Sequence, residues 1–417
     1  MRFPSYSSEW HSYTLGEILT FYSTNSFSRE KLNYDTGSVK NIHYGDIHTK
    51  FPSIVSVSDN KDIPFINNEI DLSKYSEDQY LQNGDLIIAD ASEDYEDIGK
   101  AIEVKNIDDE KVLAGLHTIL ARDNNNITVN GFKAYLFSTN SLKTKIKIIA
   151  NGISVLGISK NSLSKLTVNV PSKNEQNDVV DFISLIDNKI ELLEQKHQYY
   201  LDFKKFLMQQ IFTQKLRFDD NCQYKTKQVK DFLIESKIEG IDDINKRLTV
   251  KLNLKGITVR ESKTIEIEGA TKQFIRKTGQ FIYGKQNLHK GAFGIIPKEL
   301  DGYLTSSDIP SFDFKGGIEP KWFYYYFARK SFYEKLENLS TGTGSKRISP
   351  KEFLNIKIIV PEFKEQHKIV CLLEKFDEKI NGISNQIVQM NMFKKSLLQQ
   401  MFIVQLILSL LQNKKHI

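Results

Sequence analysis

The sequence matches itself at a constant offset of 190 residues, and any fold it adopts has to accommodate that repeat. From Gly152 and Gly342 to Phe212 and Phe402 the two stretches align without a gap and share about 18 identities in 61 positions. Paired identities include Ile158 and Ser159 with Ile348 and Ser349, Val170 and Pro171 with Val360 and Pro361, and Glu175 and Gln176 with Glu365 and Gln366. They continue through Asp187, Lys189 and Ile190 with Asp377, Lys379 and Ile380 to FKKFLMQQIF at Phe203–Phe212 and FKKSLLQQMF at Phe393–Phe402. Upstream, the offset still pairs Phe132, Tyr135 and Phe137 with Trp322, Tyr325 and Phe327. The chain is a tandem duplication.

After each proline, apolar residues recur at alternating steps of four and three, the signature of a long helix with one apolar seam. In the first copy the seam reads Val179, Ile183, Ile186, Ile190, Leu193, His197, Tyr200, Lys204, Leu207 and Ile211. In the second it reads Ile369, Leu373, Phe376, Ile380, Ile383, Ile387, Met390, Lys394, Leu397 and Met401. Neither helix can hide such a stripe unaided, so the two are expected to pack on each other as a coiled coil. A helix of roughly 35 to 40 residues is about 50 to 60 Å long, enough for a spacer. Lys204 and Lys394 interrupt the seam at the same repeat position, where a polar residue either fixes register or snorkels from the seam's end.

The pattern divides the 417 residues into a first domain over 1–170, a long helix over 171–215, a second domain over 216–360, a second long helix over 361–402 and an apolar and basic tail over 403–417. Both domains read as mixed α/β: DLIIAD, LAGLHTILA, LTVNV, RLTVKLNL, FIYG and IKIIV as strands, FKAYLFS and KWFYYYFARKSFYEKL as amphipathic helices. His117, inside LAGLHTI, reads as a hydrogen-bonded core histidine. Two cysteines, Cys222 and Cys371, without a Cys/His cluster, exclude a disulfide framework and a structural zinc, and fit a reducing cytoplasm. The longest apolar run, FIVQLILSLL, is too short to span a bilayer, so no membrane partner is expected. The formal charge of +5 hides an uneven distribution. Residues 1–174 carry 18 basic and 22 acidic side chains, whereas residues 221–360 carry 25 and 16, an electrostatic footprint suited to phosphate.

No Walker motif, GxGxxG, HExxH, GxSxG or CxxC is present, nor an aromatic-flanked Pro-Pro loop of the kind amino-group methyltransferases use. Asp90 with Glu103 and Lys105 imitates the spacing of a Mg-dependent nuclease; the competing reading is a solvated acidic loop. TGTGSKRIS, with Ser345, Lys346 and Arg347, suits a phosphate by its amides and basic pair, or is a plain loop at the join of domain and helix. GKQNLHKG (with Lys285, Gln286, Asn287, His289 and Lys290) and NIHYGDIH (with His43 and Tyr44) combine side chains that can read base edges.

Taken in order, W…LGEI at Trp10–Ile18, GDLIIADASED, LAGLHTI, an IS…L…VP…EQ block, a long helix closing with FKKxLxQQxF, and the repetition of this plan make the chain resemble the DNA-specificity subunit of type I restriction-modification enzymes. QKLRF at Gln214–Phe218 and Arg2-Phe3-Pro4 resemble that family's junction used twice. The resemblance implies two α/β target-recognition domains in tandem pseudo-repeat, joined by two long helices forming an antiparallel coiled coil. It further implies double-stranded DNA as ligand and a bipartite site with half-sites about one to two helical turns apart. The implied partners are two methyltransferase (modification) subunits and the restriction/translocase subunits. The chain itself would hold no catalytic residue, metal or cofactor; S-adenosylmethionine, ATP and Mg would belong to those partners. Ile183, Ile190, Lys204, Leu207, Leu373, Ile380, Lys394 and Leu397 would serve the spacer and subunit docking. In the acidic first domain the DNA face must be local, with Lys133, Lys143, Lys145 and Lys147 as its patch. GQFIYGKQNLHKG replaces GDLIIADASEDYEDIGK in the second domain, which gives that domain a different reading surface.

Overall fold

The computed structural model describes residues 3, 5–58, 60–261, 269, 271–339 and 347–413, without the side chains after Phe402. The chain is mixed α/β and forms two compact units: one takes it up to Leu192 together with the stretch from Gln386 onward, the other is Leu193–Asn385. Among the described residues no helix is long and apolar enough to cross a membrane.

The first unit is built on a five-stranded sheet in the order Thr20–Tyr22, Thr118–Arg122, Leu86–Ala89, Ala101–Lys105 and Ile54–Ser56, antiparallel except for its last pair. Successive side chains of a strand point to opposite faces, so a sheet buried on both sides needs apolar residues without alternation. LIIA at Leu86–Ala89 meets that demand: Leu86 and Ile88 face a core shared with Phe132, Tyr135 and Ile183, while Ile87 and Ala89 face a second core with Ile42, Ile47 and Val112. LAGLHTILA is two strands rather than one. Lys111–Ala114 pairs with Val39–Ile42 in a second sheet, and Thr118–Arg122 returns to the first after a turn in which His117 takes a left-handed φ of 55°.

The second unit centres on an antiparallel sheet ordered Leu233–Ser236, Ser311–Phe314, Phe281–Tyr283 and Phe293–Ile295, packed against the helix Pro320–Phe327 through Phe281, Phe293, Phe312, Phe323, Phe327 and Phe353. RLTVKLNL yields only the strand Leu248–Val250, because Asn253 and Leu254 turn left-handed. Arg276, fully buried, donates to Thr305 Oγ1 at 2.6 Å, Ser311 Oγ at 2.8 Å and the carbonyls of Ser236 and Ile309. No carboxylate bonds to it among the described residues, and burial lowers its pKa to about 10 against the pull of Glu235.

Several residues identical between the repeats make matching bonds in each unit. The long helices are α1, Lys173–Phe212, and α2, Phe363–Asn413, so the backbone helix continues through much of the expected tail. Before each helix runs a two-stranded strap, His11–Thr14 with Thr167–Val170 and Tyr224–Gln228 with Lys357–Pro361. Gln176 donates to the Pro171 carbonyl at 2.9 Å and accepts from the Val129 N–H at 2.8 Å; Gln366 does the same with Pro361 at 3.0 Å and Glu319 at 2.8 Å. Beside it, Glu175 accepts from the Trp10 indole and Glu365 from the Phe218 N–H. In this way the N-terminal segment and the QKLRF junction do equivalent work.

Each seam lysine is paired with an aspartate of the facing helix segment. In the first unit Lys394 pairs with Asp187, which also accepts from the Tyr135 hydroxyl at 3.0 Å; in the second, Lys204 pairs with Asp377, which accepts from Tyr325 at 2.6 Å. Each lysine lies over the ring of that tyrosine. Eight residues past Lys394, Phe402 packs on Trp10 and Phe132, close to where α1 begins, so the two helix segments in this unit run antiparallel. Phe212 packs on Trp322 in the other unit. All ten seam positions of each helix are buried or half-buried. Asp187→Ala or Asp377→Ala should lower unfolding stability in urea by about 1–3 kcal/mol, because each strands a lysine and a tyrosine together. Exchanging the charges, with Lys394→Asp and Asp187→Lys combined, should recover about 1 kcal/mol of the sum of the single losses; strict additivity would show the pair to be uncoupled.

Candidate nucleic-acid interface

In the first unit the NIHYGDIH segment forms a short helix, Tyr44–Thr49, capped by His43, whose Nδ1 accepts from the Gly45 N–H at 3.2 Å. His43 is buried against the Tyr44 ring, and burial, with Arg29 close by, holds its pKa down at about 4. It is a neutral structural cap. Tyr44 is half-buried and presents its ring to His48 and His117, at centroid distances of 5.9 and 5.2 Å. His117 is not a core residue. Its turn leaves the side chain 51% exposed, with Nδ1 3.5 Å from Asp90 Oδ1. Burial raises the Asp90 pKa, against the opposing pull of His117 and Lys160. Lys100, donating to the His48 carbonyl at 2.7 Å, and Arg29 and Lys50, both paired with Asp46, add cations. Tyr44, His48, His117 and Asp90 therefore make a compact polar surface. The glycine within LAGLH was the available signal for the turn that exposes His117.

The expected lysine patch divides. Lys133 is not a surface residue: it is 2% exposed and pairs with Glu103 at 3.0 Å. Glu103 also accepts from the N–H groups of Gly131 at 2.6 Å and Ala134 at 3.1 Å, at the start of the helix Phe132–Phe137. Lys145 donates to the Thr167 carbonyl at 2.6 Å. Lys143 and Lys147, one turn apart on the helix Asn140–Ile149, share a face near Lys100 and Lys395; burial and these cations lower the Lys143 pKa. The nuclease constellation is not assembled. Glu103 lies opposite Leu86 in the sheet, four positions and about 13 Å along the strand from Asp90. Among the described residues no group of three acidic, His or Cys side chains could hold a metal.

In the second unit GKQNLHKG is the hairpin loop between Phe281–Tyr283 and Phe293–Ile295. Its backbone is closed on itself, from the Asn287 N–H to the Gly284 carbonyl at 3.0 Å and from the Ala292 N–H to the Asn287 carbonyl at 3.1 Å, with Gly291 left-handed at φ 72°. That closure turns Gln286 and Lys290 outward, leaves Lys285 and Asn287 half-buried, and buries His289 Nδ1 without a hydrogen-bond partner among the described residues. The Ile348 N–H donates to the Lys285 carbonyl at 2.9 Å, and Arg347 pairs with Asp308 at 3.1 Å. Arg347 thus stands beside this loop; Ser345 and Lys346 lie outside the described residues. Of the spacer residues, Ile183, Ile190 and Leu397 belong to the core of the first unit, and Leu373 to that of the second. Ile380 is buried and Leu207 half-buried.

This arrangement agrees with known proteins. A 140-residue stretch, 32% of the chain, is 34% identical to the specificity subunit of the type I restriction enzyme MjaVIII from Methanocaldococcus jannaschii, and it matches 32% of that relative, about a third of its length. The fold is similar to a crystal structure of a type I restriction-modification S subunit from M. genitalium, with a TM-score of 0.54 and 12% identity over 96% of this chain and 99% of that one. It is equally similar to a chain in a structure titled for complex assembly and conformational transition of the type I R-M system, with a TM-score of 0.55 and 12% identity over 94% and 97% of the two chains. The model of the type I restriction modification DNA specificity domain matches twice, over residues 7–199 and 223–389, in step with the duplicated frame, and the chain belongs to that family.

Proposed function

We propose that this chain is the non-catalytic DNA-reading subunit of a type I restriction-modification complex. Each domain reads one half of a bipartite double-stranded target, the paired helices set the gap, and methyltransferase subunits dock on the helices and adjoining faces to methylate adenine N6. The observation that carries the reading is the division within the repeat. Strap, glutamine clamp and lysine–aspartate–tyrosine contact recur at the 190-residue offset, while the polar loops that face solvent differ. A frame used twice with two different exposed surfaces suits two half-sites of different sequence. In the first domain the reading surface would be Tyr44, His48, His117 and Asp90 with Lys100, Lys143 and Lys147; in the second, Lys285, Gln286, Lys290 and Arg347.

Sequencing of methylated adenines in cells with and without the gene tests this directly: the expected outcome is a split motif present only with the gene, and an unchanged methylation pattern would refute it. Removing one heptad from α1 should alter the spacing between half-sites. An unaltered gap would contradict the spacer role. With the methyltransferase bound, Lys290→Ala and Arg347→Ala should each weaken DNA binding and reduce its salt slope by about 1 without changing unfolding stability. A coiled-coil adaptor without DNA affinity would instead show no salt-dependent binding.

Lys133→Ala should behave in the opposite way, costing about 3–5 kcal/mol of stability by leaving Glu103 buried and unpaired. His43 adds a pH dependence. Its folded pKa, about 4, lies below the ordinary 6.5, so its contribution is complete above pH 6.5 and is lost as pH falls toward 4, up to roughly 3 kcal/mol. His43→Asn keeps a capping side chain and should flatten that part of the stability profile; an unchanged profile would show that His43 titrates normally.

A further inference from the structure

The second unit holds a thiol, an imidazole and a carboxylate in sequence that neither the fold nor DNA reading uses. Cys371 is exposed on α2, and its Sγ lies 3.6 Å from Nε2 of His367, one turn earlier. The other ring nitrogen, Nδ1, lies 3.6 Å from Glu319 Oε2, within ion-pair reach. Glu319 is held in place, since its N–H donates to Gln366 Oε1 at 2.8 Å, and its carboxylate makes no capping bond to the helix Pro320–Phe327 that follows it. Lys368 and Lys375, three residues before Cys371 and four after, lie on the same helical side. At the 190-residue offset the first copy has Asp181, Asn177 and Val129 instead, so the same frame is built without these three groups.

We infer that Cys371 is a reactive-thiol modification site, with His367 as its proton acceptor and Glu319 as the positioning carboxylate, that takes low-molecular-weight disulfides. A carboxylate beside Nδ1 favours the tautomer whose Nε2 lone pair faces the thiol, so that nitrogen is placed to take the thiol proton. The thiolate then attacks one sulfur of the disulfide. A new S–S bond forms to Cys371, the old S–S bond breaks, and the other half leaves as a thiolate; a second small thiol reverses the exchange.

The chain contains only one other cysteine, Cys222, which is buried and whose thiol pKa is raised by that burial. An aromatic disulfide reagent added to the folded protein should therefore release one fast equivalent of aromatic thiol, and Cys371→Ser should abolish it. At pH 7 the folded protein should react about tenfold faster than the same chain unfolded in urea. His367→Ala should remove that advantage and move the pH–rate midpoint upward, and Glu319→Gln should shift it less. Mass mapping of iodoacetamide-labelled wild-type protein supplies the same assignment without any variant. A Cys371 no faster folded than unfolded, or one indifferent to His367→Ala across pH, would overturn the inference. Methylation in cells is a separate readout, so the DNA-reading proposal stands or falls independently.

Discussion

Each unit depends on one shared carboxylate. Asp187 and Asp377 each receive a lysine from an antiparallel helix segment and a hydroxyl from a short helix of the domain, so a single side chain locks helix to helix and helix to domain. Apolar seam residues pack almost equally well when slid by a heptad. A charged pair at one position does not, and that is how a polar interruption specifies register at some cost in stability. Each lysine's ammonium group lies over the ring of the same tyrosine while it remains paired with the aspartate. Both tyrosines have pKa values far above the usual range, from burial first and then the neighbouring aspartate, so the clamp keeps its hydroxyl proton at any physiological pH.

Given that lock, the domains are free to differ in all but their attachment. The straps, the glutamine clamps and the lysine–aspartate–tyrosine contacts repeat, whereas the first unit carries a five-stranded mixed sheet with two cores and the second a four-stranded antiparallel sheet dominated by phenylalanine. Loops tolerate change because their backbone groups are satisfied locally or by water. The hairpin Gly284–Ala292 is closed by its own amides and can alter Gln286 or Lys290 without disturbing a strand.

The frame was legible because it is periodic. The long helices, their seam and the strands LIIA, TVNV, FIY and KIIVP follow from spacing, whereas KWFYYYFARKSFYEKL is not one helix but breaks after Phe327 into Pro320–Phe327, Lys330–Tyr333 and a 3-10 turn at Glu334–Leu339. The seam lysines posed a choice between register and snorkelling, and the aspartates they pair with were already in view as repeat identities. The site was less legible, because surface exposure is a tertiary property. FKAYLFS gives no sign that Lys133 points inward, and LAGLHTI reads as continuous unless Gly115 is taken as a turn. The buried Arg276 has no local signal either, since its acceptors lie 29 to 40 residues away in sequence.

Charge counts mislead for the same reason. At the 190-residue offset, Glu103 and Lys133 correspond to Phe293 and Phe323, and all four are buried where the short helix meets its strand. One copy fills this place with an ion pair and the other with two aromatic rings. Such replacements are often neutral in stability because the attraction within a buried pair roughly offsets its desolvation. Burial does raise the Glu103 pKa, against the pull of Lys133 and two backbone amides. The pair contributes little to the field outside the domain, so the surface potential of the acidic first domain is set by the charges that remain accessible. Burial and the nearby Lys100, Lys395 and Lys147 lower the Lys143 pKa against the pull of Asp97, and Lys147 is itself paired with Glu96.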